Sequence, residues 1–393
     1  MQKKSILIHN IGTIVTGDIR DPISSAKTIY IEDGLIAEIG TDKKDADIII
    51  NANSLLVTPG LIDSHVHPVF GDFTPVQNST NWISRYLHGG ITRMVSAGEL
   101  HLPGLPLEKP DPVLFKYLAI LSRACYKRYR PSGVKVEAGT LILAPGLKEN
   151  DFDDLIKADC KNLKFIFFPY DERMDEAKKY REWATKREMI IKIHSGGVSR
   201  SGVSRPAGAD VIFNIKPDIV GHINGGPIPM SRNDMIKIVE SGQFYMEISY
   251  CGNFPFAKEV IEKAIGLNLL DKIILGTDTP SGTGVTPRGL LRILAYVASI
   301  PKISPEVAIC MATGNSAIAH ALDTGFIKEG KPADIVIMGK IQGSEGNSHL
   351  EALSLGNLLG ISVIIIDGEI IVYDRSEQTP PPIKRAFIEE EKR

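Results

Sequence analysis

Eight short apolar runs recur between residues 61 and 277, at 61–66, 91–97, 134–143, 163–168, 190–194, 219–222, 244–249 and 273–277. Helix-like stretches fall between most of them. The clearest, 172–186 and 256–270, are long, charged and free of internal proline. Runs apolar on both faces belong to parallel strands covered by helices. Eight of them alternating with helices predict an α/β fold, a (β/α)8 barrel. The alternative is an open doubly wound sheet, but no GxGxxG follows the first run, so the usual dinucleotide signature of that fold is missing.

The two ends of the chain read alike. Residues 5–9, 28–32 and 35–39 are β runs broken by Gly12, Asp33-Gly34 and Gly40. Residues 334–338, 362–366 and 369–373 repeat the pattern, with Asp367-Gly368 as a hairpin signal. Together they predict one small β domain from residues 1–57 and 326–393, around a catalytic barrel at 58–325.

Composition narrows the function. Lys and Arg total 45 against 47 Asp and Glu, so no nucleic-acid or polybasic membrane partner is expected. No apolar stretch approaches the 18 or so residues of a membrane span, and the N-terminal run is too short for a signal peptide. Four scattered cysteines, Cys125, Cys160, Cys251 and Cys310, form no CxxC pair and read as reduced thiols of a cytoplasmic protein.

A barrel carries its active site at the C-terminal ends of its strands. The first run ends Asp63-Ser64-His65-Val66-His67, and residues two apart in a strand share a side, so His65 and His67 can bind one ion. Alone this is weak: with nine histidines in the chain, an HxH arises by chance in roughly one such chain in five. The fifth run, however, ends at His194, the sixth at His222 and the eighth at Asp278. Imidazoles with a carboxylate suit Zn, Fe or Mn rather than Ca or Mg. His88 and His101 lie in helix or loop text and are read as structural.

The stretch from Val57-Thr58-Pro59-Gly60 to His65-Val66-His67 resembles the first-strand signature of the amidohydrolase superfamily. Gly325-Phe326-Ile327 through Asp334-Ile335-Val336-Ile337 resembles that family's return into its small β domain. Within the superfamily the chain is similar to the enamidases, through Leu87-His88-Gly89-Gly90, Gly221-His222-Ile223-Asn224-Gly225-Gly226-Pro227, Met246-Glu247-Ile248, Cys251-Gly252-Asn253, Pro280-Ser281-Gly282-Thr283-Gly284 and Met311-Ala312-Thr313-Gly314-Asn315-Ser316. The resemblance implies a TIM barrel of the metal-dependent amidohydrolase type with a small β-sandwich domain from both termini. It implies His65, His67 and Asp278 as ligands of one metal and His194 and His222 as ligands of a second. The metals would be Zn2+, one or two divalent ions, with Fe at one site. It further implies water activated by metal, Asp278 as the catalytic proton carrier, and a small heterocyclic substrate, a cyclic amide or enamide, as in 6-oxo-tetrahydronicotinate ring opening with ammonia release. A homo-oligomer, a tetramer, is the implied assembly.

One departure stands out. Two-metal members of the superfamily bridge their ions by a carboxylate at the end of the fourth strand, a Glu in the enamidases or a modified Lys elsewhere. Here the alignment puts Phe168 at that position, and Lys164 reads as too early in the run to reach the mouth. Tyr170, Asp171, Glu172 or, on the third run, Glu137 are candidate replacements. Two cations about 3.5–4 Å apart repel strongly without a bridging anion, so Phe168 leaves the metal count open. The superfamily's base deaminases carry Glu three residues after the fifth-strand His, where this chain has Gly197, which argues against deamination. Two further readings remain: an amidohydrolase with an altered centre and a different ring amide, and a degenerate, non-catalytic barrel.

Overall fold

Both ends of the chain contribute strands to a two-sheet sandwich in the computed structural model, which describes residues 3–43, 45–75, 77–199, 202–226, 228–301 and 303–392. One sheet runs Phe387–Glu391, Ile48–Asn51, Ile6–His9, Ile29–Glu32, Leu35–Ile39. The other runs Glu369–Val372, Leu359–Ile366, Ile335–Lys340, Leu56–Pro59, Thr13–Val15, Ile23–Ser24. Strand alternation sorts the side chains. Ile6 and Ile8 pack inward with Ile31, Val57, Ile337 and Val363, whereas Leu7 turns the other way onto Tyr30 and Ala46. The hairpin signal at Asp367-Gly368 holds, and the break at Asp33-Gly34 is a hairpin turn as well. Asp33-Gly34 and Asp367-Gly368 all take positive φ, at 51°, 82°, 47° and 75°, as a tight type I′ turn requires.

The barrel strands are β1 (Leu61–Val66), β2 (Ile91–Ser96), β3 in two pieces (Lys135–Glu137 and Leu141–Ile142), β4 (Asn162–Phe165), β5 (Ile190–His194), β6 (Ile219–Gly221), β7 (Tyr245–Ser249) and β8 (Ile273–Gly276). Neighbours pair in parallel, and a parallel bridge between Val66 and Thr279 closes the ring. This is the (β/α)8 barrel expected from the alternation.

The third run is not continuous as the sequence suggested. Gly139 takes φ 92° and breaks it, and a Cβ there would lie 2.7 Å from Cβ of Arg123. The first piece pairs with β2 and the second with β4. The two clear helices are Tyr170–Thr185 and Phe254–Gly266. The second starts at an Asn253 cap, whose side chain accepts from the Phe256 N–H at 3.1 Å, satisfying a donor the helix cannot. Among the described residues no helix is long and apolar enough to cross a membrane.

Candidate metal centre

β1 carries His65 into the barrel, with His67 just beyond its end, and the loop after β8 brings Asp278 against them. Their surroundings fix the tautomers. A backbone carbonyl only accepts, so Gly98 O, 2.7 Å from His67 Nδ1, requires the proton on that nitrogen. His65 Nδ1 likewise donates to the Glu247 carboxylate. Each ring thus turns Nε2 toward Asp278 Oδ1, at 3.5 Å from His65 and 3.1 Å from His67, where a cation would take its lone pair. All three candidate ligand atoms lie within 4.8 Å of one another. Three inward-facing electron-pair donors make a site for a cation, and their types fit a borderline divalent metal.

His194 and His222 form a second pair, with ring centroids 4.5 Å apart. His194 Nε2 donates to Gly197 O at 3.0 Å, which leaves Nδ1 as its free lone pair. Nδ1 of His222 is buried and has no hydrogen-bond partner. Burial, reinforced by neighbouring cationic groups, pushes His194 down to about 4 and His222 to about 3. Burial also holds His65 well below the ordinary imidazole value. These rings are neutral near pH 7, the form that binds a metal. Burial opposes ionisation of Asp278, but the imidazoles of His65 and His67 outweigh it and hold the carboxyl below its usual range. His222 and Asp278 both take positive φ, 35° and 59°, the kind of local strain that collects at functional sites.

The fourth strand corrects the sequence reading. Its ladder stops at Phe165, and Phe168 is buried in an aromatic cluster with Phe165, Tyr170 and Tyr180. Lys164, placed too low by the sequence reading, does reach the site. It is wholly buried, its Nζ lies 3.3 Å from His65 Nε2, and it lines the same cavity as all five expected residues. Room for it comes from Gly221, where a Cβ would sit 3.3 Å from Lys164 Nζ and 2.9 Å from Ile193 O. Burial, then the charge of Lys192, lowers Lys164 to about 7.

Glu137 does not substitute for a bridge. Its two oxygens accept from Arg93 at 2.6 Å and Arg123 at 2.8 Å, and it does not line the cavity. Tyr170, Asp171 and Glu172 open the helix after β4 rather than line the site.

Sequence reasoning also missed His101. Its ring stacks on His67 at 5.9 Å, and it lines the cavity beside Leu100 and Leu107. His88 behaves as read, its Nδ1 accepting from the Glu377 backbone N–H at 3.2 Å. A signal for the missed residues was present: Lys164, Lys192 and Glu247 are single charges inside otherwise apolar strands. Such a charge is tolerated only where the strand face meets polar partners.

A profile of the amidohydrolase family matches residues 234–371. Enamidase from Eubacterium barkeri is 44% identical over 386 residues, covering 97% of this chain and 99% of the relative. The chain belongs to the amidohydrolase family. Amidohydrolases use divalent metals, and the donor set here fits one. A crystal structure of enamidase superposes on this amidohydrolase with a TM-score of 0.90 and 42% identity, covering 98% of this chain and all of that one. A 5-methylthioadenosine/S-adenosylhomocysteine deaminase from Thermococcus onnurineus is 26% identical, over 94% of the chain and 95% of the relative.

Proposed function

We propose that this protein is a metal-dependent hydrolase of a cyclic amide or enamide in a small heterocycle, of the enamidase type. The observation that carries this reading is the convergence of His65 Nε2, His67 Nε2 and Asp278 Oδ1 on one point. His65, His67 and Asp278 would hold one ion, and His194 and His222 a second. Zn2+ suits these donors, with Fe at one of the two positions. Lys164, between the two groups, supports a two-metal centre. As a neutral amine it would add CO2 with loss of a proton, and the carbamate would supply an anion beside His65. Phe168 and Glu137, the residues that favoured an altered centre, lie outside the cavity, and a lysine in place of the enamidases' bridging Glu is itself such an alteration.

Divalent metal in such a site lowers the pKa of water toward 7 and polarises a carbonyl oxygen. The chain supplies the rest. Asp278 is ionised, with Oδ2 accepting the Cys251 thiol at 3.1 Å and Oδ1 facing the ligand imidazoles. It can take the proton of the attacking water and pass it to the departing ring nitrogen. The cavity, about 260 Å³ and lined in part by Leu100, Leu107, Ile166 and Phe167, has room for a single small ring. When the substrate is an enamide, the freed nitrogen is an enamine, which takes up a second water and leaves ammonia and an aldehyde.

The four cysteines are free thiols, which suits the cytoplasm, and a homotetramer is the assembly we carry over from the resemblance. The test of function is ring opening by metal-loaded protein, followed as ammonia release from 6-oxo-tetrahydronicotinate and as a new primary amine from the saturated lactam of the same ring. Opening of the unsaturated ring alone is expected. No ring opening of either compound at full metal occupancy would contradict the reading.

A further inference from the structure

Glu247 sits in the middle of β7, wholly buried, and takes no part in the mechanism above. Four donors reach its carboxylate. Oε1 accepts from His65 Nδ1 and from the backbone N–H of His222 at 3.1 Å. Oε2 accepts from Ser64 Oγ at 2.8 Å and from Lys192 Nζ at 2.6 Å. Lys192, itself buried, donates also to the Ser64 carbonyl. A single carboxylate thus touches a residue from each metal-ligand group, His65 in the first and His222 in the second, whose ring centroids lie 5.3 Å apart.

All four groups present a hydrogen to Glu247, so both of its oxygens act as acceptors. A carboxylate on Nδ1 fixes the histidine tautomer, leaves the Nε2 lone pair pointing at the ion and raises its basicity. The contact to the His222 N–H adds something a partner of one histidine alone would not. It ties the start of the β6 loop, where His222 takes a positive φ, to the strand face carrying His65.

We infer that Glu247, held by Lys192 and Ser64, is a positioning residue that fixes the tautomer of His65 and the spacing between the two halves of the metal centre. This rests on the proposed two-metal reading. The probe is Zn2+ alone, its affinity for the full-length protein measured by competition with a chromophoric chelator. In Glu247→Gln the amide presents an N–H2 to one of two donors, His65 Nδ1–H or Lys192 Nζ, so one side of the network faces donor to donor. Glu247→Asp keeps the charge but withdraws the oxygens by one methylene.

Positioning requires both variants to lose about 10–100-fold in Zn2+ affinity, with thermal midpoints close to the parent protein. An Asp variant that binds Zn2+ as tightly as the parent, beside a weakened Gln variant, would show that charge alone matters and overturn the inference. Parent-like affinity in both would overturn it as well. If the Gln variant does not fold, the Asp variant decides by the same criterion. A parent protein that binds no Zn2+ defeats the metal reading itself, before either variant is compared.

Discussion

Lys164 Nζ lies 3.3 Å from Nε2 of His65, although 99 residues separate them in the chain. That contact places the fourth strand in the same centre as the first, and it gives the site a nitrogen that can become an anion.

Lys164→Met is expected to leave one divalent ion per chain in place of two and to lower turnover about 10–100-fold. Mass-spectrometric metal counts on the purified variant check it; two ions in the variant would remove Lys164 from the centre. A related expectation concerns pH. Burial and Lys192 bring Lys164 to about 7, and only the neutral amine adds CO2. Bicarbonate with Zn2+ should therefore reactivate metal-stripped protein faster at pH 8 than at pH 6.

Asp278→Asn keeps the shape of the side chain and removes the base. Turnover should fall by about 10²–10⁴-fold. Part of such a loss could follow from weaker metal binding, so occupancy must be measured on the same sample. Near-normal turnover with metal in place would exclude Asp278 as the proton carrier.

Glu99 offers a test of the fold around the site. Its Oε1 accepts from Ser96 Oγ at 3.0 Å, Ser122 Oγ at 3.1 Å and Gly139 N–H at 3.0 Å, which pins the break in β3. Burial pushes its pKa up to about 7. A folded-state pKa above the unfolded value gives stability that is complete below the unfolded pKa and is lost as pH rises through the folded one. Glu99→Gln keeps the accepting oxygen without the charge. Relative to the parent protein it should gain stability between about pH 4.5 and 7, on the order of 3 kcal/mol above that window. Urea unfolding of both proteins at pH 5 and pH 8 checks this, and an unchanged difference across the two pH values would contradict it.

Much of this architecture was legible because parallel barrel strands are buried on both faces and leave unbroken apolar runs. The five expected residues, His65, His67, His194, His222 and Asp278, all line one cavity because strand ends face the barrel mouth. What misled was the apolar run at 163–168. It continues past the end of β4 at Phe165, with Ile166 and Phe167 forming cavity wall and Phe168 packing among aromatic rings. An apolar run does not mark where the ladder of hydrogen bonds stops, so reading the strand through to Phe168 puts its end three residues late and Lys164 too deep. Glu137 misled for another reason. Its partners Arg93 and Arg123 come from other elements, and only the folded chain brings them to its two oxygens. Glu247 and Lys192 could have been found, since each interrupts an apolar strand with a charge that must be paired when buried.

The central claim is that these residues form a two-metal centre. Its most direct test is the number of divalent ions per chain, counted by mass spectrometry on protein purified without chelators and compared with the His65→Ala, His67→Ala double variant. Two ions per chain in the parent protein are expected, with the ion of His65, His67 and Asp278 lost from the double variant. A parent protein with one bound ion or none, or a double variant that keeps both, would contradict the account.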